Sequence, residues 1–270
     1  MTSRLPFTRA GRLGPLTASK VPEVTVLFWL VKVVTTGMGE TSSDFLVRSI
    51  DPLVAVGIGA VFCVGALVVQ LAADRYRPWV YWLAVVMVSA FGTMAADVTP
   101  IVLRVPCLVS TLVFAVLLAL VFFVWHRSEG TLSIHSITSR RREFLYWAAV
   151  LLTFALVTAA GDMTAMTPHL GYFAAGAVFA AVMAILAVAF RLGRFDAVFA
   201  FWFAYVVTRP LGASFADWRG VSHARGGLQW GTGPVSVALA VLIVVGITIL
   251  AATERSQRSR PGNPQFDSSP

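Results

Sequence analysis

Long apolar segments alternate with short polar ones along most of the chain. A helix needs about 20 mostly apolar residues to cross a hydrocarbon core of about 30 Å. Eight segments meet this requirement, at roughly 24–43, 52–73, 79–97, 101–125, 144–162, 169–190, 195–213 and 234–252. Barrel strands would instead show alternating segments of about 10 residues, and this chain has none. The pattern predicts an all-α polytopic membrane protein with eight transmembrane helices.

Composition excludes an ordinary soluble domain. The chain is 57% hydrophobic and 13% charged, whereas soluble proteins average about 45–50% apolar and about 25% charged residues. Two cysteines among 270 residues exclude a disulfide scaffold. Most of the surface of this protein is therefore expected to face lipid, which does not require charged side chains.

The net charge of +8 is distributed unevenly across the predicted membrane. With the N-terminus inside, fifteen of the 21 Lys and Arg fall in the inner segments. This bias fits the positive-inside rule and predicts that both termini are cytoplasmic. A basic inner face beside anionic lipid explains the charge, so no nucleic-acid partner is expected.

Four copies of one motif are visible in the sequence. Each odd-numbered span begins with an aromatic residue followed by Trp, and an Asp stands fifteen residues after each Trp. The tryptophans are Trp29, Trp82, Trp147 and Trp202, and the acids are Asp44, Asp97, Asp162 and Asp217. The tenth residue after Trp is Gly39, Gly92, Val157 or Gly212. Each motif is followed by a proline that is expected to open the even-numbered span, as Pro favours the first helical turn: Pro52, Pro100, Pro168 and Pro234.

This repetition predicts four parallel two-span units with pseudo-four-fold symmetry. Two spans per unit start every copy on the same side of the membrane. The predicted parts are a cytoplasmic tail (1–23), repeat 1 (24–75), repeat 2 (76–127), a basic loop with repeat 3 (128–194), repeat 4 (195–253) and a disordered cytoplasmic tail (254–270). A closed arrangement of the four units and a linear array are both compatible with the sequence.

Several of these motifs resemble a known family. They are KVPEVTVLFWLVKVVTTGMGETSSDFL, TLSIHSI followed by RREFLYW, TFALVTAAGD and TRPLGASFAD. Together they resemble a bacterial membrane-anchored family of four tandem two-span repeats of unknown function, over roughly residues 20–252. The resemblance implies a multi-pass protein of the bacterial inner membrane, and it implies no activity. Val157 departs from the small residue expected there, so the third repeat is expected to pack less closely.

The motif residues have structural and functional interpretations. The tryptophans suit interfacial anchoring or packing. Small residues such as Gly39, Gly92 and Gly212 let helices approach closely, and they also leave room for an ion. Each Asp either caps the following helix or bonds to loop N–H groups, or it contributes to a shared polar site that faces a cation.

Repeats 1 and 4 carry additional charges inside the membrane. Lys32, Glu40 and Arg209 join the shared acids there, and intramembrane ionisable groups usually find partners. Counted from their Trp, Arg209 is the seventh residue and Glu40 the eleventh. Four residues correspond to about 6 Å along a helix, so a closed arrangement predicts an ion pair between them. That pair is either a fixed structural contact or part of a gate beside Pro210.

The leading functional hypothesis is a channel or transporter for a small cation, a divalent metal or a proton. Its candidate cation-binding residues are Asp44, Asp97, Asp162, Asp217 and Glu40, with Lys32 and Arg209 as tuning charges. Rings of acidic side chains select cations in pores. The alternative is a non-transporting scaffold or sensor whose acids only lock the helix hairpins. The chain has no enzyme motif in a suitable context, so neither an enzyme nor a bound cofactor is expected, and an intramembrane enzyme acting on lipid is the weakest alternative.

Overall fold

The computed structural model describes residues 20–102, 104–165 and 171–258. Within them lie eight α-helices: α1 (Val26–Ser49), α2 (Pro52–Ala72), α3 (Pro78–Val102), α4 (Cys107–Glu129), α5 (Arg140–Ala165), α6 (Tyr172–Arg191), α7 (Ala197–Gly220) and α8 (Thr232–Arg258). The described residues contain no strand, so this part of the fold is all-α, as predicted. Seven of the helices are long and apolar enough to cross a membrane. The exception is α1, which carries Lys32, Glu40, Asp44 and Arg48.

The odd-numbered helices extend further than the predicted spans. The spans were expected to end at 43, 97, 162 and 213, but the helices continue to Ser49, Val102, Ala165 and Gly220. The polar residues of the motif do not end the helix, because their hydroxyls bond to carbonyl groups one turn back. Thr93, for example, donates to the Ser89 carbonyl at 3.0 Å. The helix α8 likewise extends beyond 252 into the predicted tail.

The prolines open the even-numbered helices less regularly than predicted. Pro52 is the first residue of α2, and Pro234 lies in the first turn of α8. The prediction for Pro100 is wrong, because this residue lies within α3 and α4 begins after Pro106. A residue that precedes proline disfavours the helical conformation, so Pro106 supplies the break. Pro168 lies outside the described residues.

The four odd-numbered helices form a closed ring. Contacts join α1 to α3, α3 to α5, α5 to α7 and α7 back to α1. Each even-numbered helix packs chiefly on the next odd-numbered helix, and α8 closes the set by packing on α1. The even-numbered helices are mostly exposed, with large apolar side chains such as Val61 and Ile185 on their outer faces. This arrangement places the motif residues at the centre of the molecule.

Aromatic contacts follow the same cyclic order at the N-terminal ends of the odd-numbered helices. The aromatic residue before each Trp contacts the Trp of the next repeat, and the fourth copy contacts the first. The ring centroids are separated by 5.5 Å for Phe28–Trp82, 5.5 Å for Tyr81–Trp147, 6.2 Å for Tyr146–Trp202 and 5.7 Å for Phe201–Trp29. We call these eight residues the aromatic end. Trp82, Trp147 and Trp202 are buried there, so packing within the bundle is their observed role.

Three of the motif glycines lie where neighbouring backbones meet. A Cβ on Gly92 would lie 2.8 Å from the Cβ of Phe154, and a Cβ on Gly39 or Gly212 would overlap the hydroxyl of Ser89 or Thr36. Each glycine thus faces the seventh residue after the Trp of the next repeat. At the remaining interface the glycine is replaced by Val157, and α5–α7 is the least extensive contact in the ring. The less extensive backbone contact at this interface is consistent with the replacement of the glycine by the larger Val157.

Candidate functional site at the centre of the helix ring

Arg209 joins all four helices of the inner ring. It lies on α7, is 3% exposed, and directs Nη2 toward three oxygen atoms. The acceptors are Glu40 Oε2 on α1 at 2.5 Å, Thr93 Oγ1 on α3 at 2.7 Å and Thr158 Oγ1 on α5 at 2.7 Å. The predicted ion pair between Glu40 and Arg209 is therefore confirmed.

The two threonines of this cluster were missed by the sequence interpretation. Thr93 and Thr158 are the eleventh residues after Trp82 and Trp147, the position that Glu40 occupies in repeat 1. The signal was therefore present in the repeat alignment. It was overlooked because a hydroxyl carries no charge, whereas Glu40 and Arg209 were conspicuous as departures from the shared pattern.

Lys32 lies within the same ring, one turn before the arginine level. Its side chain comes from α1 and is 1% exposed. Its Nζ lies 4.1 Å from the ring centroid of Phe154 on α5 and 4.0 Å from that of Tyr205 on α7. Among the described residues, Nζ has no hydrogen-bond partner. The aromatic faces attract a cation, but they do not replace a hydrogen-bonding counter-charge.

The two basic side chains lie close together. The guanidinium carbon of Arg209 is 5.8 Å from the centroid of Phe154, the same ring that Lys32 contacts. Arg209 Nε and Nη1 are also buried and have no partner among the described residues. Glu40 neutralises one of the two positive charges. Burying an unpaired charge is costly, so the Lys32 amine must either release its proton or acquire a counter-ion.

The shared aspartates Asp44, Asp97 and Asp217 lie inside their own helices rather than at the start of the following ones. The N-cap of α2 is Asp51, which accepts from Leu53 N at 2.9 Å. The side chain of Asp162 lies outside the described residues.

Two of the aspartates lie near the Glu40–Arg209 pair, and we call Glu40, Asp44, Asp97 and Asp217 the acidic end. Asp217 interacts electrostatically with Glu40, Asp44 and Arg209. Asp44 forms an ion pair with Arg48 at 2.7 Å. Asp97 accepts a long hydrogen bond from Ser43 at 3.4 Å. No group of three His, Cys, Asp or Glu within the described ranges is placed to hold a metal ion.

A second buried polar cluster lies near the aromatic end. Lys20 Nζ pairs with Glu143 Oε2 at 2.9 Å, and Gln70 Nε2 donates to Glu143 Oε1 at 2.8 Å. The backbone N–H of Lys20 donates to the Ile137 carbonyl at 3.2 Å. The described part of the predicted N-terminal tail therefore packs against the bundle. Nothing in the sequence pattern singled out this cluster, because its members come from the predicted tail, repeat 1 and the part that contains the basic loop and repeat 3.

Comparison with protein families matches the chain to a repeat of unknown function designated DUF347. Three stretches match, at residues 80–131, 145–194 and 200–256, which together exceed half of the chain. Each stretch contains most of one odd-numbered helix and the even-numbered helix that follows it. No curated protein and no solved structure matches the chain.

Proposed function

The chain belongs to the DUF347 repeat family, and from that premise we propose that it is a membrane channel or transporter for a small cation, with the proton as that cation. In this proposal all eight helices span the bacterial inner membrane as four parallel two-helix units around a pseudo-four-fold axis. The closed ring and the burial of α1 between α3, α7 and α8 support the inclusion of α1. We propose no enzymatic activity.

The observation that carries the proposal is the buried amine of Lys32. Folding alone gives no reason to place an ammonium without a hydrogen-bond partner between two aromatic rings, because a methionine would fill the same space. Ionisable groups inside membranes are usually functional for this reason. An amine can hold and release a proton, and this one lies beside the positive charge of Arg209. The same positive charges oppose the entry of a metal cation.

The acidic end completes the proposed route. Glu40, Asp44 and Asp217 provide carboxylates about two to three turns beyond Lys32, with Arg209 between the two levels. The distribution of basic residues favours an orientation in which the acidic end faces the outside of the cell. The carboxylates there would then accept protons from the outer solution. The Glu40–Arg209 pair then separates Asp44 and Asp217 from Lys32, as a gate would.

The alternative of a non-transporting scaffold has its own support. One Arg209 nitrogen contacts the other three helices of the ring, which is an effective way to lock four repeats together. A scaffold does not require Lys32, however. The two functions therefore differ in what replacement of Lys32 does.

The test is proton flux into vesicles that contain the purified full-length chain. A potassium gradient with valinomycin drives the flux, potassium gluconate is the salt, and a trapped pH-sensitive dye reports the internal pH. We expect the wild-type protein to acidify the vesicles faster than protein-free vesicles do. Lys32→Met and Lys32→Arg should both abolish the difference, because neither side chain exchanges a proton near neutral pH.

The matched control is Arg75→Met, which removes an exposed positive charge between α2 and α3 and should leave the flux unchanged. Wild-type vesicles no faster than protein-free ones would reject transport and favour the scaffold. Flux that survives in Lys32→Arg but not in Lys32→Met would show that the charge matters and that proton exchange at this position does not.

A further inference from the structure

We propose that the centre of the helix ring holds a small monovalent inorganic anion between Lys32 and the free edge of Arg209. This proposal goes beyond proton transport, because it concerns a binding site that exists whether or not the protein moves protons. The site consists of three nitrogen atoms that all lie in the buried interior: Lys32 Nζ, Arg209 Nε and Arg209 Nη1.

Hydrogen-bond capacity is the first argument. The guanidinium of Arg209 uses only Nη2 for its three oxygen partners. Its Nε and Nη1 donors remain, as do the donors of the Lys32 ammonium, and no acceptor among the described residues reaches them. Buried donors are nearly always satisfied. An anion accepts from several such donors at once, which no neighbouring hydroxyl does here.

Charge balance is the second argument. Among the described residues, Glu40 forms an ion pair with Arg209, whereas no carboxylate is in contact with the Lys32 amine. A protonated Lys32 therefore places a positive charge without a contacting counter-charge where both basic side chains are at most 3% exposed. A single monovalent anion would neutralise it. A divalent anion would leave an excess negative charge, so the balance favours the monovalent class.

The position of the pair within the ring is the third argument. Lys32 reaches across from α1 to contact Phe154 on α5 and Tyr205 on α7. The backbones of α5 and α7 make the least extensive contact of the ring in the described residues, and Val157 stands there in place of the motif glycine. The four-fold pattern is therefore broken at the interface that the two basic side chains occupy. Packing of four equivalent repeats does not explain this departure from four-fold symmetry, whereas a binding site between two repeats does.

The test is thermal unfolding of the detergent-solubilised full-length chain in potassium chloride against potassium gluconate at equal ionic strength. Chloride should raise the Tm in a saturable manner, because a ligand that binds only the folded state stabilises it. Lys32→Met should have a Tm in gluconate equal to or above that of the wild type, since an apolar replacement of a buried charge is often neutral or stabilising. It should show no chloride response.

Two controls make the result decisive. Arg75→Met should keep the chloride response, because this exposed residue is remote from the site. Lys32→Arg should keep at least part of it, because the positive charge remains. An equal Tm in chloride and gluconate for the wild type would overturn the anion site, and so would a chloride response that persists in Lys32→Met. Proton flux is measured in potassium gluconate, so its outcome does not depend on chloride binding. Either proposal can therefore fail while the other stands.

Discussion

At the scale of single residues, Arg209 and Lys32 make opposite kinds of contact. Arg209 forms charge-assisted hydrogen bonds to three other helices, and such bonds are among the stronger ones in proteins. The Lys32 amine lies over two aromatic faces and has no hydrogen-bond partner among the described residues. Loss of the first side chain should therefore weaken the fold, whereas loss of the second should mainly remove function.

Removal of one partner from the Glu40–Arg209 pair should destabilise the protein. We expect Arg209→Met to lower the free energy of unfolding by about 3–5 kcal/mol, because it leaves a buried charge unpaired. The double variant Glu40→Gln/Arg209→Met should recover much of that loss. Thr93 and Thr158 would not be left unpaired, because both also donate to carbonyls of their own helix, at 3.0 Å in each case.

Unfolding of both single variants and the double variant in the same detergent provides the measurement. The matched control is Arg48→Met, which breaks the pair with Asp44, where the arginine side chain is 54% exposed. Exposed pairs contribute about 0–1 kcal/mol, so its effect should be small. Costs that simply add in the double variant would contradict the coupling between Glu40 and Arg209.

At the scale of the elements, the register of the inner helices is set by small residues. At three of the four interfaces, a motif glycine packs against a side chain of the next repeat. The glycine is the tenth residue after its Trp, and the side chain belongs to the seventh residue after the Trp of that next repeat. A side chain at these glycines would push two helices apart. The register of the ring is therefore encoded within each repeat.

The glycine register predicts a strong difference between two Gly→Ala substitutions. In Gly212→Ala the new Cβ would overlap the Thr36 hydroxyl and lie 2.5 Å from the Val33 carbonyl oxygen, so we expect a loss of about 1–3 kcal/mol from overpacking. In Gly57→Ala, on the exposed face of α2, the Cβ meets nothing within 4 Å. That control should gain about 0.5–1 kcal/mol from helix propensity. Equal Tm changes in the two variants would refute the close approach of α1 and α7.

The sequence predicted the elements well and their ends less well. The long apolar segments and the Trp–Asp spacing that occurs four times located the eight helices. Both features can be read directly from the sequence. The ends of the odd-numbered helices were placed too early, and Pro100 was assigned to the wrong helix. Those errors arose because Ser, Thr and Pro are usually helix-breaking signals, whereas here the hydroxyls bond within the helix and tertiary packing extends it.

The candidate site could be predicted only in part. The pairing of Glu40 with Arg209 followed from their levels along two parallel helices. The aromatic surroundings of Lys32 could not be predicted, because Phe154 and Tyr205 come from other repeats and look like ordinary apolar residues. Their role depends on the order of helices around the ring, which periodicity does not determine.

At the scale of the whole molecule, the chain closes its ring by pairing its last helix with its first odd-numbered helix. Helix α8 packs on α1 in the way that α2 packs on α3, and Ser236 on α8 donates to Thr41 on α1 at 2.8 Å. A linear array would leave one face of α1 and one face of α7 without a partner. Closure instead buries Lys32 and partly buries Glu40 and Asp44 on α1, the helix that lacks the apolar character of the other seven.

The closed ring also determines which loops share a side of the membrane, and the basic residues then predict which side this is. The segment at Lys20 and the loop at Ile137 meet at the aromatic end, whereas Arg225 follows the opposite end of α7. Because positively charged loops stay in the cytoplasm, the cluster Arg140–Arg142 predicts that the aromatic end is cytoplasmic.

Single cysteines at Arg75 and Arg225, after replacement of Cys63 and Cys107 by Ala, test this orientation with a membrane-impermeant maleimide. The cysteine at position 225 should react in intact cells and the cysteine at position 75 only after permeabilisation. The reverse pattern would invert the orientation and place the acidic end inside, and labelling of both sites from one side would contradict a bundle whose odd-numbered helices are parallel.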